Sequence, residues 1–181
     1  MLCDRGPARE AGETPAPPSV SNEEVEAIYA LFLSQMVRYY QEDPRVREIP
    51  GATAVFRRLR ARGIKTALDT GFSRPILDAI VHRLDWGHPE LLDTTVASDE
   101  VKRGRPHPDL IFEAMRRTGV AQAGQVAKVG DTPADLLEGQ AAGCQLNIGV
   151  TYGSHTRAQL ASQPHTHLIG ALDEVLGIVA G

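Results

Sequence analysis

The sequence is short of several things, and each shortage excludes a class of protein. Its two cysteines, Cys3 and Cys144, are too few and too unevenly placed for a disulfide framework. The chain therefore reads as a protein with free thiols, the usage of a cytoplasmic compartment. No run of about 18 apolar residues occurs, which leaves no transmembrane helix, and no apolar segment near Met1 suggests a secretory signal. Aromatic residues make up 5% of the chain, so its core must be built mainly from aliphatic side chains. A net charge of −4 with no basic stripe argues against a nucleic-acid partner. The densest basic run, Arg57, Arg58, Arg60 and Arg62, has the spacing of a solvated helix face opposite Ala54, Val55 and Leu59.

What is present suits one α/β domain, with or without a small appendage: 181 residues of which 42% are hydrophobic. Residues 1–20 hold Pro7, Pro15, Pro17 and Pro18 without any periodic pattern, the composition of a disordered leader. Ser21-Asn22-Glu23-Glu24 is a capping box, with Val20 and Val25 placed to staple it. The helix it opens runs to about Gln41 and carries Val25, Ile28, Tyr29, Phe32, Met36 and Tyr40 as a broad apolar stripe.

From Pro50 onward helix and strand alternate. Helices are expected at 52–62, from Ser73 to about Leu84, at 108–118, at 133–142 and at 171–179. Gly63, Gly119 and Gly143 fall where a left-handed cap would end three of them. Short apolar strands are expected at 64–68, 95–97, 126–129 and 146–148, with a shorter fifth at Leu168 and Ile169. That rhythm predicts an α/β fold, a Rossmann-like parallel sheet with helices on both faces.

Three features follow successive strands. Leu68-Asp69-Thr70-Gly71-Phe72-Ser73-Arg74 places a hydroxyl and open backbone N–H groups at a glycine turn entering a helix, which can hold a phosphate oxygen. An ordinary strand-to-helix turn with Ser73 as N-cap explains the same residues. Lys102-Arg103-Gly104-Arg105-Pro106-His107-Pro108-Asp109 fixes a cation before a helix start, where an arginine fork can neutralise phosphate charge. A solvent-facing loop is the alternative there. Finally, Val126-Ala127-Lys128-Val129-Gly130-Asp131-Thr132-Pro133-Ala134-Asp135 is a strand that stops at a carboxylate. Thr132 with Asp135 is a capping pair around Pro133, but capping leaves Asp131 unexplained. Mg²⁺ held through one or two carboxylates would explain it. His165 and His167 are read as a surface loop rather than a metal pair.

Taken in order, the hydroxyl, the cation and the two acids resemble the haloacid dehalogenase (HAD) superfamily of phosphohydrolases. Thr70-Gly71-Phe72-Ser73-Arg74, Gly104-Arg105-Pro106-His107-Pro108-Asp109, Gly130-Asp131-Thr132-Pro133-Ala134-Asp135 and Gly149-Val150-Thr151-Tyr152-Gly153-Ser154-His155 are similar to its phosphonatase-like branch, which has arginine where most relatives have lysine. The resemblance covers roughly residues 22–180. It implies catalytic roles for Thr70 and Arg105, phosphate binding by Thr70, Gly71 and Arg105, and Mg²⁺ held by Asp131 and Asp135, the latter through a metal water or by orienting Arg105. It also implies a small phosphorylated or phosphonate substrate, and divides the chain into a remnant of a helical cap at 21–48 and a HAD-like core at 49–181.

The same resemblance implies a nucleophile that is not found. The family uses the first aspartate of an Asp-x-Asp pair ending the central first strand, and the sequence contains no Asp-x-Asp. Two expectations follow: an impaired or inactive hydrolase in this form, and strands at 64–68 and 126–129 that lack their shared neighbour. A cap helix left with an exposed apolar face would leave self-association open. The alternative is a non-catalytic protein that keeps the scaffold and binds phosphate or a partner.

Overall fold

The computed structural model describes residues 20–179. The expected leader therefore lies outside the described residues, apart from Val20. Helix α1 spans Asn22–Glu42 and starts as its sequence requires: the Ser21 hydroxyl accepts from Glu24 N–H while the Glu24 carboxylate accepts from Ser21 N–H. None of its residues is buried. Its C-terminal half packs on α3 (Arg74–Arg83), whereas Val25, Ile28, Tyr29, Leu31 and Phe32 stand exposed, Ile28 at 65%. An apolar face this open is unusual on an isolated domain.

Helix α2 (Ala52–Ala61) ends at Arg62, and Gly63 behind it has φ +75°, the left-handed turn its position suggested. Strands β1 (Ala67–Asp69) and β2 (Thr94–Val96) pair in parallel, Leu68 opposite Thr95. The expected strand at 64–68 is thus shorter and shifted, its ladder starting at Ala67, directly after Thr66 C=O accepts from Asp93 N–H. Helix α4 (Asp109–Thr118) follows, closed by Gly119 at φ +74°. Strands β3 (Ala127–Gly130), β4 (Leu146–Val150) and β5 (His167–Ile169) form a second parallel sheet in the order β3-β4-β5. Between them lie α5 (Pro133–Ala142) and α6 (Arg157–Ala161), the latter not foreseen from the pattern. The single helix expected at 171–179 is instead a tight turn at Leu172–Glu174 followed by α7 (Val175–Ile178), because the Glu174 carboxylate folds back to accept from Gly170 and Ala171 N–H.

Helices cover both faces of this parallel α/β arrangement. Helices α4 and α5 touch each other and lie against β1–β2 and β3–β4 respectively. Opposite them α2 meets α7, joined by the bond from the Arg62 guanidinium to Leu176 C=O at 2.7 Å. Apolar clusters follow from this layering, a small one of Val96, Leu110 and Ala114 under α4 and two larger ones. One gathers Ala52, Trp86, Leu91 and Leu92, and the other Ile148, Val150, Ile169 and Val175. Leu172 packs against both, so the turn at 172–174 links them.

The sheet is split. Strands β1 and β3 share no ladder, and β1–β2 and β3–β4–β5 are separate sheets. In a parallel ladder alternate residues point to opposite sides. The N–H groups of Ala67, Asp69, Ala127 and Val129 accordingly face the seam, and no backbone partner for them exists among the described residues.

Candidate functional site

The carboxyl ends of β1 and β3 bring the three sequence features to the same edge of the fold, the place where open α/β sheets bind ligands. After β1, Thr70 N–H donates to Val96 C=O, and Thr70 Oγ1 accepts from Phe72 N–H at 3.2 Å. The acceptor side of that hydroxyl is used, so its proton remains available to an anion. Gly71 N–H has no acceptor among the described residues. A Cβ built on Gly71 would sit 3.0 Å from Arg105 Nη2, so the turn and the guanidinium are in close apposition, and the absence of a side chain at 71 permits it.

Arg105 lies just before α4, its peptide bond to Pro106 in the cis form. Its Nη1 donates to Asp135 Oδ1, and the two also form an ion pair. Burial acts against the charge of Arg105, but the Asp135 carboxylate outweighs it and keeps the guanidinium firmly protonated. Nη2 and Nε have no acceptor among the described residues. Three donors (the Thr70 hydroxyl, Gly71 N–H and Arg105 Nη2) are thus uncommitted around one turn, an arrangement that can hold an oxyanion.

Asp131 and Asp135 are separated by the local geometry of the helix start. Asp135 is N3 of α5, where its Oδ2 accepts from Thr132 N–H and Oγ1, completing the capping box. Gly130 is required here, because a Cβ would collide with the Asp135 side chain. With Oδ1 taken by Arg105, both oxygens of Asp135 are engaged. Burial would raise the Asp135 pKa, but Lys128, Thr132 and Arg105 together hold it below its ordinary value. Asp131 turns the other way. Its Oδ2 accepts from Ser154 N–H at 2.7 Å and Ser154 Oγ at 2.8 Å, and that hydroxyl lies 3.0 Å from His155 Nδ1. Asp131 Oδ1 receives no hydrogen bond from the described residues.

Three further charged groups belong to the cluster and were not recognised in the sequence. Lys128, only 5% exposed in the middle of β3, sends Nζ between the two sheets to Asp69 Oδ1 and Oδ2 at 2.6 and 2.8 Å. The same Nζ lies 3.5 Å from Asp135 Oδ1 and 2.7 Å from Glu138 Oε2. The Glu138 contact is an ion pair without hydrogen-bond geometry, and both oxygens of this fully buried carboxylate lack a hydrogen-bond donor. Burial accordingly pushes the Glu138 pKa up to about 7, whereas Lys128, surrounded by Asp69, Glu138 and Asp135, stays charged despite its own burial. The signals were a lysine inside an apolar strand, an acid three residues after Asp135 on the same helix face, and an acid beside Thr70.

Asp69, Asp135 and Glu138 bring carboxylate oxygens within 4.8 Å of one another, a grouping that could hold a metal ion. The Lys128 ammonium already lies in contact with all three, so a cation fits poorly there. Asp131 Oδ1, with no competing donor, fits a hard cation better, since Mg²⁺ is commonly held by one or two carboxylates together with water and phosphate oxygens. Asp135 then serves to fix Arg105. His165 and His167 are exposed and lie outside the cluster. Among the described residues no helix is long and apolar enough to cross a membrane.

Residues 12–143 match the family model of haloacid dehalogenase-like hydrolases. The chain is 32% identical over 164 residues to a phosphonoacetaldehyde hydrolase of Pseudomonas fluorescens, covering 83% of this chain and 57% of that protein. It is 31% identical over 150 residues to a phosphonoacetaldehyde hydrolase of Bacteroides fragilis, covering 78% and 51%. The chain thus spans about half the length of the curated relatives it matches. In fold it is similar to the crystal structure of a phosphonoacetaldehyde hydrolase-like protein from Oleispira antarctica, with TM-score 0.72 at 22% identity over 90% of this chain and 66% of that one. By sequence and by fold, the chain belongs to the haloacid dehalogenase-like hydrolases, in their phosphonatase-like branch.

Proposed function

We propose that this chain carries the phosphoryl-binding half of a phosphonatase-like hydrolase that acts on a small phosphate ester or phosphonate. The observation that carries the proposal is the convergence of the Thr70 hydroxyl, Gly71 N–H and Arg105 Nη2, each without an acceptor, at the end of β1. Phosphoryl transfer depends mostly on positioning and charge stabilisation, and these groups supply both. Thr70 and Gly71 donate to phosphoryl oxygens. Arg105, braced by Asp135, places its fork against them and neutralises charge as the bond to the leaving group breaks. Asp131 is the residue to hold Mg²⁺ at this edge, and a bound Mg²⁺ would supply further neutralisation of the phosphoryl oxygens.

The nucleophile is the missing part. The family chemistry forms an aspartyl phosphate, and the sequence has no Asp-x-Asp pair to provide it. Asp69 does not substitute for it, because both of its oxygens are held by Lys128. In this form the chain is expected to bind phosphoryl groups and to turn them over poorly or not at all. The relatives' name suggests phosphonoacetaldehyde as one substrate.

A second reading, a non-catalytic scaffold that binds phosphate or a partner, is favoured by the same Lys128, which together with Arg105 offsets most of the charge of the acidic cluster. The exposed face of α1 extends that reading to self-association. Sedimentation of the wild type and of Ile28→Glu checks it, and a monomer in both cases rules it out. Turnover of a generic aryl phosphate with Mg²⁺ separates the first two readings. Slow hydrolysis abolished by Asp131→Asn supports the hydrolase, and phosphate binding indifferent both to Mg²⁺ and to Asp131→Asn supports the scaffold.

A further inference from the structure

The loop between β4 and α6, residues 151–155, meets the site at Asp131. It is held at both ends. Before it, Thr151 N–H and Thr151 Oγ1 both donate to Ile169 C=O of β5, each at 3.0 Å. Behind it, Thr156 caps α6: its hydroxyl accepts from Gln159 N–H, and the Gln159 side-chain oxygen accepts from Thr156 N–H at 2.9 Å. Leu160 is fully buried and fastens that helix to the core.

Between these anchors the backbone comes directly against the Asp131 side chain. A Cβ built on Gly153 would overlap Asp131 Cβ, Cγ and Oδ2, so only glycine allows this approach. Ser154 then directs both its N–H and its hydroxyl at the same oxygen, Asp131 Oδ2, at 2.7 and 2.8 Å. A carboxylate oxygen can only accept, so the one proton of the Ser154 hydroxyl is committed there. His155 Nδ1 lies 3.0 Å from that hydroxyl and must therefore be the donor, which places an imidazole proton on Nδ1. The result is a directed chain, from His155 Nδ1–H to Ser154 Oγ–H to Asp131 Oδ2.

The chain fixes which oxygen of Asp131 is free. An unrestrained carboxylate turns easily about its last bond, and either oxygen can then take a hydrogen bond or a cation. Here Oδ2 is held by two donors from an anchored loop, and Oδ1 receives no hydrogen bond from the described residues. Carboxylates that ligate metals are commonly fixed in this way, and losing such a donor costs about ten- to a hundredfold in metal affinity.

We propose that Gly153, Ser154 and His155 are positioning residues for a divalent cation at Asp131. Ser154 holds Oδ2, His155 orients the Ser154 hydroxyl, and Gly153 permits the approach, so that Oδ1 is preset to take the cation. The proposal rests on the reading of Asp131 as the residue that holds Mg²⁺. It gives the loop after β4 a part in cation affinity and none in binding phosphate without metal.

The test uses the full chain and Mn²⁺, which shares the preference of Mg²⁺ for oxygen ligands and loses its free-ion electron paramagnetic resonance signal when bound. Mn²⁺ affinity is read from that signal without phosphate, and phosphate binding without metal is read separately by calorimetry. Ser154→Ala is expected to weaken Mn²⁺ binding by at least about tenfold and to leave metal-free phosphate binding unchanged. Ser154→Thr keeps the hydroxyl and should retain most of the wild-type affinity. His155→Ala shifts it in the same direction as Ser154→Ala by a smaller factor, and Gly153→Ala, which pushes the Asp131 side chain aside, weakens it as well. Mn²⁺ binding that is lost in Asp131→Asn but unchanged in Ser154→Ala overturns the positioning role and leaves the metal assignment standing. Equal losses in Ser154→Ala and Ser154→Thr overturn it too, since the hydroxyl would then not be the cause. Mn²⁺ affinity that is the same in wild type and Asp131→Asn overturns the metal assignment and the positioning role together.

Discussion

Lys128 and Asp69 face each other across the seam between β1 and β3, where no backbone hydrogen bond joins the two strands. The ammonium touches both oxygens of Asp69 and reaches Asp135 and Glu138 on α5. One buried side chain therefore links both sheets to the helix that positions Arg105.

Removing that link leaves carboxylates buried without a counter-charge. Lys128→Met is expected to destabilise the fold by about 3–5 kcal/mol, the usual cost of breaking one side of a buried pair. Lys128→Met combined with Asp69→Leu and Glu138→Gln should recover most of that loss. Urea denaturation of the single and triple variants measures both effects, and a single variant as stable as wild type would contradict the role given to Lys128.

The seam also has a signature in hydrogen exchange. The amides of Ala67, Asp69, Ala127 and Val129 point into it, whereas those of Ile148 and Gly149 lie in β4 between two partners. The first group is expected to exchange much faster than the second, since unpaired strand edges open without breaking a ladder. Equal, strong protection of both groups in a monomer would show that β1 and β3 are joined.

Stability should depend on pH through Glu138, whose pKa burial pushes up to about 7 from an ordinary 4.5. A raised carboxyl pKa means that the folded state prefers the protonated form. The stability this preference provides is complete below about pH 4.5 and is lost as pH rises through about 7. Asp135 acts in the opposite sense: its pKa is depressed below 3.8, so its contribution is present above that value and lost as pH falls. Thermal unfolding should therefore show greatest stability at about pH 4, between the ordinary values of 3.8 and 4.5, and a decline from there toward pH 7. Glu138→Gln should remove the loss on the alkaline side and leave the acid side unchanged.

Local signals in the sequence located most of the elements. The capping boxes at Ser21 and Thr132 and the left-handed glycines at 63, 119 and 143 all act as their residue types suggest. Strand ends moved by a few residues, because ladders of three or four residues depend on tertiary pairing more than on propensity. Thr70, Gly71, Arg105, Asp131 and Asp135 stand out through motif spacing; Gly71, Arg105 and Asp135 lie in or beside the charge cluster, whereas Asp131 turns away to Ser154. Asp69, Lys128 and Glu138 were not identified. Their association depends on which strands lie side by side, and a lysine in a short strand gives no indication of whether it faces solvent or three carboxylates. The sequence suggests an ordinary cap at Ser73, but Pro75 has no N–H and Ile76 N–H donates to Ser73 C=O, which leaves the hydroxyl unpaired among the described residues.

Thr70, Gly71 and Arg105 are expected to act together as a phosphoryl-binding site braced by Asp135. Titration of inorganic phosphate into the wild type and Arg105→Ala, with and without Mg²⁺, tests it most directly. The wild type is expected to bind phosphate, to bind it more tightly with Mg²⁺, and to lose that Mg²⁺ enhancement in Asp131→Asn. Arg105→Ala should weaken binding by at least about tenfold, the loss of one charge-assisted contact. Phosphate affinity that is the same in wild type and Arg105→Ala would contradict the account.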